Sequence, residues 1–179
     1  MVKYLNTYFV KGECERKFIE ELKLNNIIEP GKIKKINIAL KELSNSDLRE
    51  FNPIERKRFI IVLNLMECNE EERKKMILKN IKKLKSKKGK VIVIVQNENL
   101  KEELIKATNI NSITEILNSK SEEEWEKDML TIVNFFAYLK RVEFDVNKLW
   151  SSPPPKWLEN EYTSDEIKRG EINVKKKSY

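Results

Sequence analysis

Two short, uninterrupted apolar runs constrain this chain more than anything else in it. Residues 59–65 read FIIVLNL and residues 91–95 read VIVIV, rich in β-branched side chains and almost without polar alternation. A strand buried on one face alternates apolar with polar; a strand covered on both faces reads as a continuous apolar run. Both segments are therefore expected as central strands of a parallel sheet with helices on either side. Residues 3–10 (KYLNTYFV) are aromatic and β-branched and stop at Lys11-Gly12, which predicts another strand. Residues 32–40 (KIKKINIAL) follow the turn signal Pro30-Gly31 and partly alternate, a fourth.

Helical periodicity fills the intervals. From Glu13, the residues Cys14, Phe18, Ile19 and Leu22 recur at helical spacing. Residues 69–88 put Met76, Ile77, Ile81 and Leu84 on one side of a strongly basic helix, which Gly89 is expected to end in the left-handed conformation. Residues 99–107 predict a shorter helix. One long helix is expected over 121–140, opened by a Ser121/Glu124 capping box and striped by Trp125, Met129, Val133 and Phe136. Residues 44–53 read as a loop with room for one helical turn. The order β-α-β-loop-β-α-β-α-α implies an α/β fold: a mainly parallel sheet of about four strands flanked by helices, Rossmann-like in plan.

Residues 1–141 make up that domain, and residues 142–179 an irregular extension. In it, Trp150 and Trp157 flank Ser151-Ser152-Pro153-Pro154-Pro155, a stiff polyproline stretch. The two rings either form a partner-docking surface or belong to a strap that packs back on the domain; the strap is favoured, because exposed tryptophans harm solubility. From residue 158 charge dominates and a tail without fixed structure is expected.

Composition removes whole classes of chemistry. With no histidine among 179 residues, Ser-His and Cys-His nucleophiles and histidine-ligated zinc or iron are excluded. Cys14 and Cys68 are the only thiols and read as small buried hydrophobes. No apolar run approaches the roughly 20 residues that cross a bilayer, and the opening MVKYLNTYFVKGE lacks a secretory core. A cytoplasmic protein without a membrane partner is expected. The net charge of +7 favours anionic partners, DNA or RNA first.

Ligands of such sheets sit at the carboxyl ends of strands. Two ends are legible: Phe9-Val10-Lys11-Gly12-Glu13-Cys14-Glu15 and Val62-Leu63-Asn64-Leu65-Met66-Glu67-Cys68. Here the chain resembles the Toprim family, the catalytic module of topoisomerases, primases and OLD-type nucleases, over about residues 4–90. The family has a strand, then Glu-Gly, then a helix, and a later buried strand ending in Asp-x-Asp. Small stand-alone members continue the first motif as Glu-Gly-Glu-x-Glu, which Gly12-Glu13-Cys14-Glu15 matches. At the decisive positions this chain departs from the pattern, with Lys11 for the glutamate and Asn64 and Met66 for the aspartates. Magnesium wants hard anionic oxygens, and an ammonium, an amide and a thioether do not supply them.

The resemblance therefore implies a catalytically inactive module with no metal cofactor, an accessory or scaffolding subunit in antiviral defence or a mobile element. Its partners would be an ATPase or another protein subunit, nucleic acid, or a second copy of itself. Two rival readings stay open. One is an active nuclease holding magnesium or manganese on Glu13, Glu15 and Glu67. The other is a regulator of separate ancestry that grips nucleic acid through the basic helix, with Arg73, Lys75, Lys79, Lys82, Lys83 and Lys87 as the contacts. A solvated lysine face explains that helix as well, and Gly12 explains itself as a tight turn in an unrelated α/β domain. Lys11 beside the start of a helix would also suit a phosphate, although Glu13 and Glu15 oppose one.

Overall fold

The computed structural model describes residues 4–51 and 55–158 of the chain. Strands β1 (Leu5–Val10), β2 (Gly31–Lys35), β3 (Lys57–Asn64) and β4 (Lys90–Gln96) form one sheet in the order β2-β1-β3-β4. Every neighbouring pair is parallel, with Thr7 opposite Phe59 and Asn64 opposite Gln96. The helices are α1 (Glu13–Leu24), α2 (Asn45–Arg49), α3 (Glu71–Ser86), α4 (Leu100–Lys106), α5 (Glu122–Thr131) and α6 (Phe135–Arg141). The fold is α/β, as the two apolar runs require.

The sheet grows outward in both directions from β1 and β3, so right-handed crossovers place α1 and α3 on opposite faces. Phe18, Ile19 and Leu22 of α1 share a core with Tyr8, Ile92, Trp125, Met129 and Leu139. Ile77, Ile81 and Leu84 of α3 join Phe9, Phe59, Ile61 and Val93 on the other side. Both faces of β3 and β4 are thus covered, which is why neither strand alternates.

Local chemistry redraws three expectations. β2 stops at Lys35, five residues before the expected end, and the chain folds over the top of the sheet from Ile36. The helix expected over 121–140 is two helices. The β-branched run Thr131-Ile132-Val133 disfavours continuation, Ile132 is extended, and Asn134 takes φ 58°, a left-handed conformation asparagine tolerates. Val133 consequently leaves the stripe and is 84% exposed, while Phe135, Phe136 and Leu139 turn inward. The Ser121 hydroxyl accepts the Glu124 N–H at 3.1 Å, but the Glu124 carboxylate accepts from Lys120 N–H instead of closing the box.

Gly89 does not end α3 in the left-handed conformation; Lys88 does, at φ 56°. Glycine is needed at 89 for space. A Cβ there would lie 2.6 Å from Phe59 Cδ2 and closer still to Cε2, against a fully buried ring packed on Phe51 and Phe9.

Residues 142–158 pack on the same domain. Trp150 is 7% exposed and meets Phe18 edge-on at 6.1 Å, and buried Glu103 accepts the Trp150 backbone N–H at 2.9 Å. Leu158, in the short 3-10 turn Lys156–Leu158, belongs to the core on the opposite face, with Trp157 half-buried beside it. The chain between them must pass around the sheet. Between them Ser152 accepts from Lys106 at the end of α4 at 3.0 Å, so the chain leaves Trp150 beside the helix that follows β4. The charged tail beyond residue 158, and Pro53 in the loop expected over 44–53, lie outside the described residues. Among the described residues, no helix is long and apolar enough to cross a membrane.

Candidate functional site at the carboxyl ends of the strands

Because β1 leads to β2 on one side and β3 leads to β4 on the other, the winding reverses between β1 and β3. That reversal marks the crevice where sheets of this kind take their ligands. Its two walls are Val10-Lys11-Gly12 and Asn64-Leu65-Met66-Glu67.

The crevice is closed by the chain's own charges. The Lys11 ammonium donates to Glu67 Oε1 across it, and both side chains are about one-third exposed, at 32%. Asn64 does not face the crevice with a free amide oxygen: its Oδ1 accepts the Met66 N–H at 3.0 Å. Met66 itself begins the 3-10 turn Met66–Cys68 and points out, 62% exposed. The Glu67 carbonyl accepts from the Arg73 guanidinium at 2.9 Å, which ties the turn to α3. Ile36, Asn37, Ile38 and Ala39 roof the crevice and leave about 10 Å³, room for roughly one water.

One residue holds that roof. Asn80, fully buried on α3, accepts the Leu43 N–H at 2.8 Å and donates to the carbonyls of Ile38 and Lys41 at 2.8 and 2.9 Å. A buried amide is stable only when its groups are met, and here three backbone groups meet it. Asn80 was not singled out from the sequence, although a polar residue on the Ile77–Ile81–Leu84 stripe is itself a signal. Beside the crevice, Cys68 donates its thiol to the Asn64 carbonyl at 2.9 Å. Burial first, and the Glu67 carboxylate second, push this thiol up to about 11, so it is no nucleophile near neutral pH.

The three acids open to the nuclease reading diverge. Glu67 is held by Lys11. Glu13 faces solvent, paired with Lys35 and with Arg16 at 2.7 Å; Lys35 first and Arg16 second hold its carboxyl below the usual range. Glu15, one turn-face away, is 7% exposed. Among the described residues no three histidine, cysteine or acidic side chains gather closely enough to hold a metal ion.

The basic helix α3 divides its cations. Lys79 and Lys83 both bind Glu42, at 2.7 and 2.6 Å, and these two bonds take the Glu42 carboxyl down to about 2. Arg73 bonds Glu70 at 3.1 Å and is turned toward the 3-10 turn. Lys75 and Lys82, seven residues apart on the outermost line of the helix, are exposed, and Lys87 follows at the helix end. Of the six proposed contacts, Lys75 and Lys82 lie on the outward line, Lys87 is half-buried at the helix end, and Arg73, Lys79 and Lys83 share the two carboxylates of Glu70 and Glu42. Of the two tryptophans, Trp150 is inside the core and Trp157 half-buried at the rim.

No protein-family model matches the chain, and no curated protein or solved structure is similar to it.

Proposed function

We propose that this chain is a Toprim-like module that has left metal-dependent cleavage and works by binding, with a nucleic-acid backbone along the outer row of α3. The observation that carries this reading is the Lys11–Glu67 ion pair across the winding reversal. Where the resemblance would gather acids around a dication, one carboxylate is neutralised by a fixed ammonium and the remaining volume suits about one water. Lys75, Lys82 and Lys87 offer charge but little base-reading chemistry, so the contact would be to phosphates and tolerant of sequence. The same resemblance supports a cytoplasmic role beside an ATPase subunit in defence against phage or mobile DNA.

The test has two arms. Wild-type protein with magnesium or manganese is expected to leave DNA and RNA intact, and titration with manganese to show no tight site. The variant K11E/N64D, which sets two new carboxylates beside Glu67 in the crevice, is expected to gain manganese binding. Cleavage by the wild type that disappears in Glu67→Ala would overturn the reading. In the second arm, duplex binding should fall linearly with the logarithm of salt at a slope near −3, about −0.9 per phosphate neutralised. Changing Lys75, Lys82 and Lys87 to Glu should abolish it; unchanged binding would remove α3 from the interface.

A further inference from the structure

A second cleft, of about 410 Å³, opens on the α1 face of the sheet between the first turn of α1, the start of α4 and the middle of α5. That volume lies within the range of small-molecule sites, roughly 300–1,000 Å³. Leu100, Leu130 and Trp125 give it apolar walls, and Leu130 stands at the rim.

Its charges are partnered, with one exception. Lys11 is held by Glu67, and Lys101 bonds Glu122 at 2.9 Å and Glu126 at 2.8 Å. Glu13 has Lys35 and Arg16. Glu15 lines the cleft with its carboxylate lying back over Gly12, where a Cβ would come within 2.8 Å of Oε2. It is more than nine-tenths buried, and no hydrogen bond or ion pair to it is found among the described residues. Its stem is enclosed while its oxygens open on the cleft, where they can accept donors from a group seated there. The neighbouring thiol reports the same field: burial first, then Glu126 and Glu15, push Cys14 up to about 11.

These features exclude two ligands and select a third. Phosphate, which a lysine beside a helix start would suit, meets Glu13, Glu15 and Glu126 with both nearby lysines already paired. A hard dication would find a single uncommitted carboxylate, too few oxygens for its shell. We infer that this cleft binds a guanidinium group, seated with its N–H fork on Glu15 and its flat faces against Leu100 and Leu130. Guanidinium is weakly hydrated and planar, and it matches a carboxylate with two parallel hydrogen bonds, whereas an ammonium loses more hydration on entering a half-apolar cleft. The group belongs either to a free arginine-like small molecule or to an arginine side chain on a peptide; the chemistry at Glu15 is the same.

The experiment is a titration of the full chain followed by the indole N–H resonances, since the Trp125 ring lines the cleft. Agmatine, N-acetyl-arginine amide and N-acetyl-lysine amide are the probes. Saturable binding of one or both guanidines at roughly millimolar concentration is expected, with the lysine compound about tenfold weaker or worse. Glu15→Gln should weaken it by about tenfold or more. Tighter binding of the acetylated amide would assign the site to peptide arginine, and tighter binding of agmatine to a free guanidine. Should Glu15→Gln fail to fold, Leu130→Trp, which fills the cleft from an exposed rim position, is expected to block binding. No saturation, equal affinity for the lysine compound, or binding that survives both substitutions would overturn the inference.

Discussion

Replacing Asn80 with alanine tests how the crevice roof is held. The substitution removes one acceptor and two donors from a fully buried position, and it strands the Leu43 N–H and the carbonyls of Ile38 and Lys41. Each bond contributes about 1 kcal/mol net, and each stranded buried group adds a desolvation cost of about 1–3 kcal/mol. The roof lies near the surface, so water can re-satisfy part of it. The expected loss is about 3–5 kcal/mol, a large share of a typical total of about 5–15 kcal/mol. At about 2–4 °C per kcal/mol for a domain of this size, the melting temperature should fall by roughly 10 °C. Urea unfolding followed by circular dichroism reads the difference directly, and Asn80→Asp gives a second point, because it keeps the acceptor but turns a carboxylate toward two carbonyls. A loss below about 1 kcal/mol with an unchanged denaturant slope would refute the argument that Asn80 clamps residues 38–43.

Further outcomes follow from the same geometry. Gly89→Ala should destabilise by about 1–3 kcal/mol through overpacking against Phe59, with partial rescue by Phe59→Leu, measured by urea unfolding. Glu42→Gln should raise duplex affinity and steepen its salt slope, because Lys79 and Lys83 are released to the outer row. The same carboxyl is held at about 2 instead of its ordinary 4.5, so the stability it adds is fully present above about pH 4.5 and is lost as pH falls toward about 2; acid unfolding of Glu42→Gln should lack that component. Glu103→Ala should free the backbone around Trp150, seen as a red-shifted tryptophan emission and faster proteolysis between residues 142 and 158.

The sheet was legible in the sequence because burial on both faces leaves an unmistakable mark: residues 59–64 of the first run lie in β3, with only Leu65 beyond its end, and residues 91–95 lie in β4. What escaped prediction depends on distant partners. Gly89 looks like a helix stop until Phe59, thirty positions earlier, is found where its side chain would be. The break at Asn134 adds to the local reluctance of Thr131-Ile132-Val133 a tertiary choice, in which the core takes Phe135 and leaves Val133 outside. At the site, the loss of acids at Lys11, Asn64 and Met66 is visible in the residues themselves. That Lys11 would take Glu67 as its partner, and that Glu15 would turn into an adjacent cleft, depends on how two strand ends and α1 meet.

The place of β4 at the sheet edge has a consequence for how this protein is made. β4 is complete at Gln96 and lies at the sheet edge, while Trp150 and Leu158, which join the cores on its two faces, emerge about fifty to sixty residues later. At synthesis rates of about 5–20 residues per second, that strand stands unguarded for roughly 3–10 s. VIVIV is charge-free and strongly β-forming, the kind of stretch that pairs with its like on a neighbouring nascent chain. Yield in cells should therefore fall with crowding on the messenger, a liability settled during translation that no measurement on the finished fold would reveal.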